Sequence, residues 1–117
     1  MAGVLVCGTG IGIGIVANKV AGIRCGFGHD YFSAQATRAH NDANMISFGE
    51  RTTGPGSACQ MMEIFLTTEF EGGRHTDRLK KLHDVEAMEE ARGIKRAADE
   101  PCHPHATKRE ATAEEKA

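Results

Sequence analysis

The sequence predicts an α/β layered fold built on a small parallel sheet. Three observations carry that expectation. Short strand-like runs at 4–7, 23–27 and 44–48 alternate with stretches whose apolar residues recur at helical spacing. The first run, Val4-Leu5-Val6-Cys7, has no polar alternation, the mark of a strand buried on both faces. The order strand, helix, strand, helix, strand, helix, helix calls for right-handed crossovers between parallel strands.

Each element has a local reason. After the strand at 4–7 a glycine turn leads into a helix expected over 13–20. The strand at 23–27 is weaker, thinned by Gly26 and Gly28. Asp30 is placed to cap a helix over 31–40. Gly49 ends the third strand, and Pro55 suits the first turn of a helix carrying Met61, Met62, Phe65 and Leu66 on one side. A last helix over 76–92 sets Leu79, Leu82, Val85 and Met88 along one flank. Three strands are few for this architecture. The first has the composition of a central strand, and such a strand left at a sheet edge invites pairing with another chain.

Composition divides the 117 residues unevenly. Residues 1–70 hold eleven of the fourteen glycines and nine Asp, Glu, Lys or Arg residues, whereas 71–117 hold twenty-one such charges. One domain over 1–93 and a disordered charged tail over 94–117 are expected. The formal net charge of -2 supplies no field that would gather nucleic acid or an acidic membrane surface. No apolar stretch approaches the roughly 18 residues of a membrane helix. The apolar start lacks a basic residue and is broken by glycines, unlike a signal peptide. Cys7, Cys25, Cys59 and Cys102 show no paired spacing, which speaks against a disulfide scaffold or a four-cysteine zinc site and for a reducing, cytoplasmic setting. Cys102-His103-Pro104-His105 reads as adventitious metal capture in the tail.

The chemistry concentrates in Cys7-Gly8-Thr9-Gly10-Ile11-Gly12, between a strand and a helix. Glycines there let backbone N–H groups converge on an anion, and the helix dipole adds positive potential. The dinucleotide fingerprint fails, because its third glycine falls on Ile13 counted from Gly8 and on Ile15 counted from Gly10. The Gly-Lys-Ser/Thr of a Walker loop is absent as well. What remains is an oxyanion or phosphate cradle with a thiol at its lip. A cysteine beside a helix N-terminus has its pKa lowered and can act as nucleophile or base. The competing reading is a small buried residue ending a strand.

With Ala17-Asn18-Lys19 behind it, this loop resembles the active-site loop of type B ribose-5-phosphate isomerases, a family that includes the galactose-6-phosphate isomerase subunits. Arg38-Ala39-His40-Asn41-Asp42-Ala43-Asn44, Gly49-Glu50-Arg51-Thr52-Thr53-Gly54 and Glu71-Gly72-Gly73-Arg74-His75 resemble three further signatures, in order and in register. The resemblance implies a Rossmann-like three-layer fold and interconversion of ribose 5-phosphate and ribulose 5-phosphate through an enediolate, without metal or cofactor. It implies Cys7 as base, with Thr9 and the amides of Gly8, Gly10 and Gly12 as the anion hole. Another branch of the family carries a glutamate base where Ile13 stands, so this chain resembles the cysteine branch.

The same resemblance makes His40 the residue that opens the sugar ring, Asn41 a sugar contact, and Arg74 with Arg78 a phosphate clamp four residues apart on one helix. Bland alternatives stand beside each: a histidine on a helix dipole for His40, a solvated face for the arginines, and either substrate binding or loop anchoring for Arg51. It implies a homodimer or tetramer with shared sites, His40 serving the partner's Cys7. Family members begin with two further strands, the first ending in an Asp-His pair, and usually have serine at the place of Gly14. A chain without those strands is expected to have a marginal fold and little or no isomerase activity. The alternatives are a catalytically inactive fragment that binds a sugar phosphate or a full-length paralogue, and a galactose-6-phosphate isomerase subunit.

Overall fold

The computed structural model describes residues 1–99, and side chains through residue 92. Three strands, β1 (Gly3–Cys7), β2 (Cys25–Phe27) and β3 (Met45–Gly49), form a parallel sheet in the order β1-β3-β2. Helices α1 (Ile11–Asn18), α2 (Tyr31–Ala39), α3 (Pro55–Thr67) and α4 (Arg74–Asp99) follow in the expected alternation. The register pairs Gly3 with Met45 and Cys7 with Gly49 along β1 and β3, and Cys25 with Met45 along β2.

Alternation along β3 sorts its side chains between two layers. Ile46 and Phe48 meet Ala34 of α2 and Met61 and Phe65 of α3 in the buried core, joined by Ala43. Ser47 faces the other way, toward Gly14 of α1. Burying an Ile or Phe side chain stabilises by about 1.5–3 kcal/mol, so this six-residue core is the main apolar anchor of the sheet.

Local chemistry sets the helix ends. Asp30 Oδ1 accepts the Ser33 N–H at 2.6 Å while Ser33 Oγ accepts the Asp30 N–H at 3.1 Å, a reciprocal cap that starts α2 one residue later, as expected. Pro55 occupies the first turn of α3. Helix α1 starts two residues earlier than expected because Gly10, at φ 79°, caps it from the left-handed region. Asn18 then pins its end to β2, its side chain bonding both the N–H and the C=O of Cys25.

Three expectations need correction. β1 is not buried on both faces: Val6 is 55% exposed and the other four residues are half-buried, because among the described residues β1 lies at the sheet edge with β3 alone beside it. Gly26 and Gly28 do more than weaken β2. A Cβ on Gly26 would collide with the Thr37 side chain and one on Gly28 with the Phe48 ring, so glycine lets α2 and β3 approach. Of the expected flank on the last helix only Leu79 is buried, while Leu82, Val85 and Met88 are exposed. Two units are distinguished: Met1–Lys81, which carries the sheet, and the part of the chain from Leu82 onward. Helix α4 begins at Arg74 and runs through Asp99, past the expected end at 92. The tail expected over 94–117 lies, from residue 100 on, outside the described residues.

Candidate active site

At the carboxyl edge of the sheet, β1 and β3 end side by side at Cys7 and Gly49. The ladder continues one step further, with Glu50 N–H donating to Cys7 C=O at 2.9 Å and Arg51 N–H to Gly8 C=O at 3.0 Å. This tie brings the Arg51 side chain over Gly8, about where a Cβ on that glycine would touch its Nε. The loop then turns so sharply that Thr9 backbone atoms lie 2.5 Å from where a Gly49 Cβ would stand. Thr9 is exposed, and its Oγ1 accepts the Ile11 N–H at 3.3 Å.

The sulfur of Cys7 is half-buried and accepts the Gly10 N–H at 3.2 Å. Hydrogen bonds from the amides of Ile13 and Thr9, then of Gly10, with help from the Thr9 hydroxyl, hold its pKa below the ordinary thiol value against a smaller opposing effect of burial. Cys25 shows the contrast. Burial pushes its thiol up, opposed by a hydrogen bond from Ser47. The Ile13 amide is a donor that the sequence does not point out, since Ile13 draws notice there by its side chain; its place in the first turn of α1 is the available signal. The Gly10 N–H, one of three expected to face an anion, donates to the sulfur here. Gly12 lies in the first turn of α1 with open space around it.

Gly14 stands where the resemblance leads to serine being expected, and its surroundings leave a side chain little room. Ser47 Oγ lies 2.9 Å from the place of a Gly14 Cβ, and Ser47 is buried. Gly14→Ser is therefore expected to destabilise by about 1–3 kcal/mol, by overpacking. Adding Ser47→Ala is expected to restore most of the loss, read from urea midpoints of the single and double variants.

The remaining residues gather elsewhere. Helix α2 runs back against the strands, so His40, which caps its carboxyl end, reaches the amino edge of the sheet. There Asp42, at φ 46°, turns the chain into β3 and bridges Arg24 and Arg38 with its carboxylate. Arg38 also donates to Thr68 and Ala43 carbonyls, and Asn44 bonds Arg24 N–H and Gly22 C=O. Three residues of this motif thus build the turn, while Asn41 stands exposed.

The loop before α4 closes on the same edge. Glu71 N–H donates to Ala39 C=O at 3.0 Å, and Gly72 and Gly73, both at positive φ, lead into the helix. His75 is buried and its ring stacks on that of His40, with centroids 4.4 Å apart. Arg74 and Arg78 are exposed on the first turns of α4. Glu71 and His75 are neighbours of His40 that the sequence does not disclose: their i,i+4 spacing pairs them with each other, and nothing local ties them to His40.

The structure therefore divides the ten expected residues. Cys7, Gly8, Thr9, Gly10, Gly12 and Arg51 lie at the carboxyl edge, whereas His40, Asn41, Arg74 and Arg78 lie at the amino edge. A five-residue strand separates the edges, a rise of about 13 Å. One copy of the chain does not bring His40 to its own Cys7.

Comparison with known proteins places this arrangement. The ribose/galactose isomerase family matches residues 1–82. YwlF of Bacillus subtilis is 60% identical over 84 residues, which cover 72% of this chain and 56% of that protein. Ribose-5-phosphate isomerase B of Escherichia coli is 44% identical over 84 residues, with the same coverage. The chain thus spans little more than half the length of these relatives. Ribose-5-phosphate isomerase B of Clostridium thermocellum superposes with a TM-score of 0.73 at 42% identity, over 74% of this chain and 59% of that one. With four signatures in register, a parallel sheet of matching fold and a cysteine loop at its carboxyl edge, the chain belongs to the ribose/galactose isomerase family.

Proposed function

We propose that these residues interconvert an aldose phosphate and a ketose phosphate, ribose 5-phosphate and ribulose 5-phosphate, with Cys7 as the base. The observation that carries this reading is the Cys7 sulfur ringed by amide donors at the end of β1. A thiolate there removes the proton from carbon 2 of the open-chain aldose. The C–H electron pair becomes the second bond between carbons 1 and 2, and the carbonyl pair moves onto oxygen 1. The proton of the carbon-2 hydroxyl passes to oxygen 1, the oxygen-2 pair left behind forms the ketone, and the pair between carbons 1 and 2 takes the proton back from the thiol onto carbon 1. Thr9 and the amides of Gly8 and Gly12 face the developing oxyanion.

His40 opens the furanose ring by moving a proton between the ring oxygen and the anomeric hydroxyl, and Asn41 holds a sugar hydroxyl. Arg74 and Arg78 take the phosphate, with Arg51 at the opposite end of the substrate. Because the two groups of residues lie at opposite edges of one sheet, the site is assembled from Cys7 of one copy and His40 of a second, a two-fold homodimer or a tetramer of such pairs. The reaction so drawn needs no metal or cofactor, and its setting is pentose phosphate metabolism in the cytoplasm. The relatives include a D-erythrulose-4-phosphate isomerase of Pectobacterium atrosepticum, 46% identical over 87 residues, so sugar length varies among them.

A second reading is an inactive chain that binds a sugar phosphate or associates with a full-length paralogue. It is favoured by the outer edge of β1, which is unpaired among the described residues and open to a strand of another chain beside the Cys7 loop. One experiment separates the two. Ribose 5-phosphate incubated with the chain in deuterated water is followed by NMR, with galactose 6-phosphate in parallel. Deuterium at carbon 1 of ribulose 5-phosphate supports the isomerase. Calorimetric binding without exchange, unchanged in Cys7→Ser, supports the binding module.

A further inference from the structure

His40, Glu71 and His75 each present a metal-ligating atom, and these atoms lie within 4.8 Å of one another. The contacts among them are too long to be hydrogen bonds: Glu71 Oε1 stands 3.6 Å from His75 Nε2, and Glu71 Oε2 stands 4.0 Å from His40 Nε2. The Glu71–His75 separation matches what a bridging cation requires. Bonds of about 2.0–2.2 Å at a tetrahedral angle leave the ligand atoms about 3.3–3.6 Å apart. The half-exposed His40 ring has to turn out of its stack on His75 and close on Glu71 for its in-plane lone pair to reach the same ion. His75 is buried, Glu71 is tethered through its backbone to Ala39, and His40 is fixed as the cap of α2, so the three come from a braced corner of Met1–Lys81.

We propose that His40, Glu71 and His75 form a binding site for a divalent cation of the zinc class. Two imidazoles and one carboxylate suit zinc, copper, nickel or cobalt in preference to magnesium or calcium, which take oxygen ligands. Three protein ligands leave one tetrahedral position to solvent, and the His40 and Glu71 side chains supply that open side. Binding ties up the Nε2 lone pair of His40. Resting on the ring-opening role given to His40 above, the cation is then an inhibitor of the isomerase.

Zinc competition against a chromophoric chelator, on the full chain, tests the site without reference to activity. One equivalent of zinc is expected, with affinity falling at least tenfold in both Glu71→Gln and His75→Gln. Cobalt at the same site is expected to give the visible d–d absorption of tetrahedral coordination, lost in Glu71→Gln. Glu71 has an exposed side chain, so this variant remains informative should His75→Gln fail to fold. Zinc affinity unchanged in Glu71→Gln, or abolished by Cys102→Ser with His103→Gln and His105→Gln instead, overturns the proposal. Zinc that binds as expected without slowing turnover overturns only the inhibitory role.

Discussion

Cys7→Ala is expected to abolish aldose–ketose exchange, lowering whatever rate the unmutated chain shows by on the order of 10²–10⁴-fold, the range a positioned base contributes. Cys7→Ser keeps the size and a lone pair but removes the acidity, and it is expected to lose nearly as much. The reason is the loop. Amides of Ile13, Thr9 and Gly10 favour the anionic sulfur, and an alkoxide is too basic to be populated near neutral pH by the same donors. The lowered thiol pKa fixes the sign of the pH dependence. The thiolate is the active form, so the rate falls as pH drops through the Cys7 pKa and is retained above it. In the window between that pKa and the ordinary value of 9.0, the unfolded chain binds more protons than the native one, so stability rises with pH. Alkylation followed by peptide mapping gives an activity-free readout. Cys7 is expected to react ahead of Cys25, whose thiol is raised by burial.

Gly10→Ala is expected to cost about 2–5 kcal/mol, the sum of a left-handed backbone for a residue with a Cβ and overpacking. The added carbon would stand 2.6 Å from the Phe48 carbonyl carbon and 2.9 Å from the Gly49 nitrogen. Both are backbone atoms of the central strand and cannot swing aside as a side chain does. Against a typical total of about 5–15 kcal/mol the loss is severe, and a lowered urea midpoint measures it. Gly12→Ala is the control. It has open space around it and sits in a helix turn, so its midpoint is expected to stay close to that of the unmutated chain.

How far the sequence discloses this molecule depends on how local the physics is. Helix α2 was legible because Asp30 and Ser33 form its cap among themselves. The parallel order was legible because alternation of strands and helices leaves few connections. The start of α1 was not, since nothing in Gly8-Thr9-Gly10 says which glycine turns left-handed. The exposure of Val6 was hidden for a different reason: an apolar strand looks the same whether it has one neighbour or two.

At the site, Cys7 and its loop could be read as a unit because they are contiguous. The meeting of His40 with Glu71 and His75 could not, because it depends on the backbone bond between Glu71 and Ala39, more than thirty positions apart. Asp42 and Asn44 belong to a motif read as chemical, yet they hold the turn between α2 and β3. The split of the candidate residues between two sheet edges emerged only once α2 was seen to run back along the strands.

That split gives the most direct test. Cys7→Ala and His40→Ala variants, each inactive alone, are mixed, partly unfolded and refolded together, and assayed by deuterium exchange into ribose 5-phosphate. Random pairing makes half the dimers mixed, and each mixed dimer has one intact site, so recovery of about one quarter of the unmutated rate is predicted. A mixture no more active than either variant contradicts a site shared between two copies.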